Sequence, residues 1–215
     1  MTEIAIYVEG GGPNKSGRSE LRQGFDALFA DLKNAARRKR LGWKLSCFGG
    51  RDQTFEAFAN AIRSEPRFVN FLLVDSEGPI PPETNDNALN AASRVALLAL
   101  RDHWNFTGVP NERVHLMTQC TEAWIVADPA VLTSFYGQGF RANLLPGRPD
   151  LEDEPKADLH NKLKRATRAT RKGEYDKIAH GSQLLRRISP TLVAARCRRF
   201  ATFRQWLGNT IAVAK

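Results

Sequence analysis

Three carboxylates, Glu9, Asp75 and Glu77, each follow an apolar run, in "EIAIYVEG" and "FVNFLLVDSEGP". Acids at the ends of two buried strands can share a cation, and a cation held that way can activate water against a phosphate ester. The stretch "YVEGGGPNKSG", Tyr7 to Gly17, suggests a different chemistry, because it has the glycines and the Lys-Ser of a phosphate-binding loop. Its spacing does not suit that role. Such a loop needs Gly directly before the Lys and a second Gly at its outer end, so that backbone amides converge on the phosphates. Here Asn14 precedes Lys15, Glu9 stands at the outer position, and Pro13 removes an amide donor. What remains is a strand that delivers Glu9 into a glycine loop.

The elements that must position these acids alternate. After Glu9, the apolar residues Leu21, Phe25, Leu28, Phe29 and Leu32 fall at helical spacing, which predicts one amphipathic helix ending near Arg40. "GWKLSCFGG" reads as a second strand and "DQTFEAFANAIRSE" as a second helix with Asp52 as N-cap. "RFVNFLLVDSEGP" is the continuous apolar run of a central strand. The order strand, helix, strand, helix, strand predicts a parallel sheet with right-handed crossovers. "IPPETNDNALN" reads as a polar loop, "AASRVALLALRDHW" as a helix and "VHLMTQC" as a fourth strand. Asp128-Pro129 opens a further helix. Residues 137–155 read as a surface connection, and helices are expected in "KADLHNKLKRATRATR", "GSQLLRRI" and "CRRFATFRQWLGNTI".

In a parallel sheet Glu9 and Asp75 leave the same edge, from strands about 5 Å apart if adjacent. Glu77 reaches the same side if the backbone stays extended. Three such carboxylates repel one another, and a hard divalent ion, Mg²⁺ or Mn²⁺, is the natural compensation. Glu122 in "TQCTEAW" is either a further ligand or the partner of an Arg at a helix start, and Gln119 reads as a structural hydrogen-bonding group. His103, His115, His160 and His180 lack ligand spacing and read as solvent or core residues.

The 215 residues suffice for one sizeable core with an extension. Cys47, Cys120 and Cys197 are too scattered for a disulfide framework or a metal-type pair, which predicts thiols in a reducing compartment. No apolar run approaches a membrane span and the N-terminus lacks a signal-peptide layout, so a cytoplasmic protein without membrane contact is expected. The net charge of +9 is almost wholly C-terminal, where residues 154–215 carry 15 Lys/Arg against 4 Asp/Glu. Lys162, Lys164, Arg165, Arg168, Arg171 and Lys172 form one cluster and Arg196, Arg198 and Arg199 a second. That density fits phosphate contacts that position nucleic acid without reading its sequence, although an acidic protein partner would use the same charge. Phe200, Phe203 and Trp206, at helical spacing, read as core.

Glu9 after the first strand and "DSE" after the third resemble the Toprim catalytic domain of topoisomerases, primases and OLD-type nucleases, whose pattern is strand-Glu-Gly and then strand-DxD. The chain resembles the DUF4276 group, related to RloB-like proteins, more closely. "YVEG", "LLVDSEGP", "MTQCTEAWIVADP", "EPKADL" and "CRRFATF" follow in order along nearly its whole length. The resemblance implies that Asp75 and Glu77 bind Mg²⁺, that Glu9 is a ligand or the general acid/base, and that Lys156, at the group's "PK" position, orients the scissile phosphate. Glu77 stands where Toprim enzymes generally have Asp. Topoisomerases also use a tyrosine from a separate domain, and Tyr136 and Tyr175 lack that context, so hydrolysis is expected rather than strand passage. Relatives of this kind often lie beside an ABC-type ATPase in bacterial defence loci, which implies such a partner by analogy.

The expected architecture is therefore α/β. A Toprim-like, mostly parallel sheet flanked by helices occupies residues 1–136, a connecting loop 137–155, and a basic helical region 156–215 packs on the same domain. The expected function is a Mg-dependent phosphodiester hydrolase, a nuclease acting on DNA or RNA in an anti-phage system. Its rival is a non-catalytic subunit that binds nucleic acid or an ATPase.

Overall fold

The computed structural model describes residues 3–65, 67–81 and 87–214. Four strands, β1 (Glu3–Glu9), β2 (Gly42–Phe48), β3 (Phe68–Asp75) and β4 (Val114–Met117), form one sheet in the order β2-β1-β3-β4. Every neighbouring pair is parallel, with Val8 opposite Leu73 and Asp75 opposite Met117. The expected mostly parallel α/β sheet is present.

Side chains alternate across the sheet, as the two-residue period of a strand requires. Ile4, Ile6, Val8, Phe71 and Leu73 point into one core cluster, while Ala5, Tyr7, Leu72 and Val74 enter the other. The second face is covered by α3 (Arg51–Ser64) and α4 (Asn87–Asp102), through Phe55, Phe58 and Leu98. The first face is covered by α1 (Lys15–Leu28), α2 (Ala30–Arg38) and the C-terminal helices, through Phe25, Leu28, Phe200, Phe203 and Leu207. The chain thus leaves β1 on one face to reach β2 and crosses on the other face to reach β3. The point where the winding reverses lies between β1 and β3, at their C-terminal ends, and this is where open α/β sheets place their ligand crevice.

Several boundaries differ from the sequence expectation. The first helix is broken at Phe29, whose buried ring meets Phe203 edge-on at 5.7 Å and stacks on Phe200 at 6.0 Å. The N-cap of α3 is Gly50, and Asp52 lies in the first turn, where it accepts the Trp104 indole N–H at 2.8 Å. α4 already begins at Asn87, and residues 82–86 of the expected polar loop lie outside the described residues. β4 ends at Met117, because the Ser76 and Glu77 amides then bond the Met117 and Gln119 carbonyls in place of a regular ladder.

The remaining helices are α5 (Glu122–Val126), α6 (Pro129–Tyr136), α7 (Lys156–Thr167), α8 (Gly181–Leu185), α9 (Pro190–Arg196) and α10 (Arg198–Val213). The expected surface connection 137–155 is not wholly on the surface: Leu151, Glu152 and Glu154 are buried. α9, absent from the sequence reading, opens at Pro190, whose fixed φ suits a first helical position. Phe200 and Phe203 are core residues, as expected, whereas Trp206 is only partly buried; the C-terminal helices share their core with α1 and β1. Among the described residues no helix is long and apolar enough to cross a membrane.

Candidate active site at the sheet edge

Glu9 is the last residue of β1 and Asp75 the last of β3, so the parallel pairing brings both carboxylates to the winding reversal. Immediately after Glu9 the backbone turns through Gly10, Gly11 and Gly12, all with positive φ. A Cβ at Gly11 would lie 2.7 Å from the Arg18 Cα, so the loop packs too closely on α1 for any side chain there. A cavity of about 270 Å³ opens at this point, lined by Glu9, Asp75, Glu77, Glu122, Tyr175 and Lys177. The three acids predicted from strand ends therefore share one cavity with Glu122.

Each acid is held by specific partners. Glu9 Oε2 accepts from the Arg51 guanidinium at 2.8 Å and from the Asp75 amide at 3.2 Å. Arg51 also donates to the Asp75 carbonyl at 2.6 Å and to Asp102 at 2.7 Å, and so ties β1, β3 and α4 together. Asp75 is buried; its Oδ1 accepts from the Thr121 amide and hydroxyl, each at 3.2 Å, and its Oδ2 faces Lys177 Nζ at 3.4 Å. Glu77 adopts φ 61, a left-handed conformation, and its Oε2 meets Lys156 Nζ at 2.6 Å. β3 ends at Asp75, the left-handed residue falls at Glu77 itself, and the Glu77 amide bonds the Gln119 carbonyl at 3.0 Å. Gln119 also accepts the Lys156 amide through its side chain at 3.1 Å, the structural role read from the sequence.

Glu122, at the start of α5, pairs with no arginine among the described residues. Its Oε1 accepts the Tyr175 hydroxyl at 3.1 Å, and its Oε2 lies 3.3 Å from His160 Nε2 and 3.8 Å from Lys177 Nζ. Lys177 is thereby a bridge between two buried carboxylates. His160, read as a solvent or core residue, instead faces the site.

The electrostatics reflect crowding. Burial and the adjacent Asp75 charge push the Glu9 carboxyl up to about 7, against the opposing pull of Arg51. Burial also raises Asp75, with Lys177 opposing. Burial works against ionised Glu122 too, but His160 and Lys177 hold it at about 2. Partial burial works against the Lys177 ammonium, but Asp75 and Glu122 raise its pKa. The site is a set of carboxylates interleaved with cations, in which burial raises both Glu9 and Asp75.

Sequence reasoning missed Arg51, Thr121, His160, Tyr175 and Lys177. Lys177 is 102 residues from Asp75 and sits in an irregular stretch, so no local spacing marks it.

The predicted basic surface divides. Lys164, Arg165, Arg168, Arg171 and Lys172 are exposed. Lys162 is partly buried and donates to buried Glu154, and exposed Arg198 pairs with Asp150 and Asp153. Arg199 is a correction: it is 5% exposed and its amide and guanidinium bond Glu152, which removes it from any surface that nucleic acid reaches. Arg196 bonds the Pro146 and Arg148 carbonyls and is likewise occupied with holding the 137–155 segment.

No curated protein and no solved structure matches the chain. Residues 8–208 match the family described as domain of unknown function DUF4276, and a match spanning from the end of β1 into α10 shows that the chain belongs to that family.

Proposed function

We propose that the sheet-edge cavity is the active site of a Toprim-like, Mg²⁺- or Mn²⁺-dependent phosphodiester hydrolase acting on DNA or RNA. The observation that carries this reading is the convergence of Glu9, Asp75 and Glu77 on one cavity at the winding reversal of a parallel sheet. Their carboxylate oxygens are the hard donors such an ion takes, and Glu9, raised to about 7 by burial first and by the Asp75 charge second, is a carboxylate whose ionised form a cation would stabilise. When bound, the ion would polarise the phosphodiester and lower the pKa of an attacking water.

The chain's own residues account for the rest. Glu9, poised to carry a proton near neutral pH, is the general acid/base or a ligand. Arg51 fixes its carboxylate. Lys156 and Lys177, from α7 and from the loop after it, supply positive charge at the mouth for a phosphate. α7 begins with Lys156, whose ammonium meets Glu77, and is 12 residues, about 18 Å, long. Exposed Lys164, Arg165 and Arg168 at its far end would then hold nucleic-acid backbone some distance from the cleaved bond. The family resemblance adds an ABC-type ATPase in an anti-phage system as the partner.

A second reading, a non-catalytic subunit that binds nucleic acid or an ATPase, is favoured by one observation. Each of the three acids already has a basic partner: Arg51, Lys177 and Lys156. Calorimetry with Mg²⁺ and Mn²⁺ on wild type and Asp75→Asn, beside a panel of DNA and RNA substrates, separates the two. Metal binding lost in the variant together with metal-dependent cleavage supports the hydrolase, and binding of nucleic acid without metal uptake or cleavage supports the subunit.

A further inference from the structure

Glu122 belongs to a second set of donors of a different chemical kind. Cys120 Sγ, a Glu122 carboxylate oxygen and a His160 ring nitrogen lie within 4.8 Å of one another. Cys120 and Glu122 come from the turn into α5, and His160 comes from the second turn of α7, so the group closes over 40 residues of chain. We propose that Cys120, Glu122 and His160 form a binding site for a borderline-soft divalent ion of the zinc class, separate from the oxygen donors of Glu9, Asp75 and Glu77.

Three observations support it. Zinc–sulfur bonds of about 2.3 Å and zinc–nitrogen or –oxygen bonds of about 2.0 Å set neighbouring ligands of a tetrahedral site roughly 3.3–3.5 Å apart. Here His160 Nε2 is 3.3 Å from Glu122 Oε2 and 3.8 Å from Cys120 Sγ, and the sulfur lies within 4.8 Å of the carboxylate, so the sulfur must move inward to complete the set. Glu122 Oε2 is buried and makes no aligned hydrogen bond, although the carboxylate is 1% exposed. The other oxygen is fixed by the Tyr175 hydroxyl at 3.1 Å, the outer-shell hydrogen bond that aims a ligating carboxylate. Thiolate and imidazole donors also select zinc over the magnesium of an all-oxygen site.

Binding has two consequences. The Cys120 thiol gives its proton to solvent as the sulfur–metal bond forms. The ion also competes with Lys177 for Glu122 Oε2, which frees the ammonium for Asp75 alone. Three protein ligands leave the fourth tetrahedral position to water.

The test is a Zn²⁺ titration of the full chain against a competing chelator, repeated with Co²⁺ as a spectroscopic probe. The expected result is one equivalent bound, with a thiolate-to-cobalt charge-transfer band. Cys120→Ser abolishes the band, and both Cys120→Ser and His160→Gln weaken binding by more than about 100-fold, the upper end of what losing an outer-shell partner alone costs. Cys47→Ser and Glu9→Gln retain it, and Glu9→Gln, whose carboxylate meets Arg51 and the Asp75 amide, separates this site from the proposed Mg²⁺ site. His160→Gln alters a partly exposed side chain, so it reads the site even if Cys120→Ser fails to fold. Absence of stoichiometric binding in wild type, or equal binding by His160→Gln, overturns the proposal.

Discussion

Lys177 Nζ stands 3.4 Å from Asp75 Oδ2 and 3.8 Å from Glu122 Oε2, so one ammonium from an irregular loop is shared by two buried carboxylates on different elements. The lysine side chain is half exposed, so water screens part of the loss, and removing it is expected to cost about 1 kcal/mol. Lys177→Met is therefore expected to lower the melting temperature. Mg²⁺ or Mn²⁺ is expected to raise that of the variant more than that of wild type, because the ion takes over the vacated role. Equal metal-induced shifts by differential scanning fluorimetry would show that no cation competes with Lys177.

Arg51 binds Glu9, the Asp75 carbonyl and Asp102 at once. Arg51→Met breaks all three charge-assisted hydrogen bonds and is expected to cost about 3 kcal/mol in urea unfolding. Arg51→Lys is expected to recover only part of this, because one ammonium does not reproduce the planar fork of the guanidinium. Full recovery by lysine would mean that net charge, rather than geometry, holds the sheet edge.

Asp102 yields a pH dependence whose sign follows from its partners. Burial works against its ionised form, but hydrogen bonds from Arg101 and Arg51 hold its carboxyl below the ordinary value. A carboxyl depressed in the folded state contributes stability that is present above its unfolded pKa of about 3.9 and is lost as pH falls through the folded value. Wild type is thus expected to lose more unfolding free energy than Asp102→Asn between about pH 5 and pH 3. Parallel curves from urea titrations across that window would remove Asp102 as the source.

Nucleic-acid binding is expected to be dominated by phosphate contacts from the end of α7. Neutralising exposed Lys164, Arg165 and Arg168 together would remove up to three such contacts. The slope of log K against log salt on duplex DNA is then expected to become shallower by about 2–3. An unchanged slope in fluorescence anisotropy would move the basic surface to another partner. Arg199→Gln is expected to act on stability and not on that slope, since its guanidinium is spent on Glu152.

Trp124 tests whether the C-terminal helices fold with the sheet. Its fully buried ring meets Phe25 of α1 at 6.1 Å and Phe200 of α10 at 4.6 Å. Trp124→Ala is expected to cost about 4 kcal/mol and to leave a single unfolding transition. Two separate transitions by calorimetry would show that residues 156–215 form an independent unit.

Much of this protein was already decided by local pattern. Apolar runs bounded by glycine and polar residues read as strands, and helical spacing between them favours parallel crossovers, which brings Glu9 and Asp75 to one edge. The positively charged C-terminal third and the core role of Phe200 and Phe203 were equally plain in the residue types and their period. Contacts of long sequence separation were decided only by the tertiary structure. Lys177 on Asp75, His160 on Glu122 and Arg199 on Glu152 depend on how α5, α7 and α10 pack against the first sheet face. No residue spacing encodes that packing, because a charged side chain has the same local signature whether it meets solvent or a buried partner. The position of Glu77 was decided the same way: its amide bonds the Gln119 carbonyl and its carboxylate meets Lys156, partners 42 and 79 residues away.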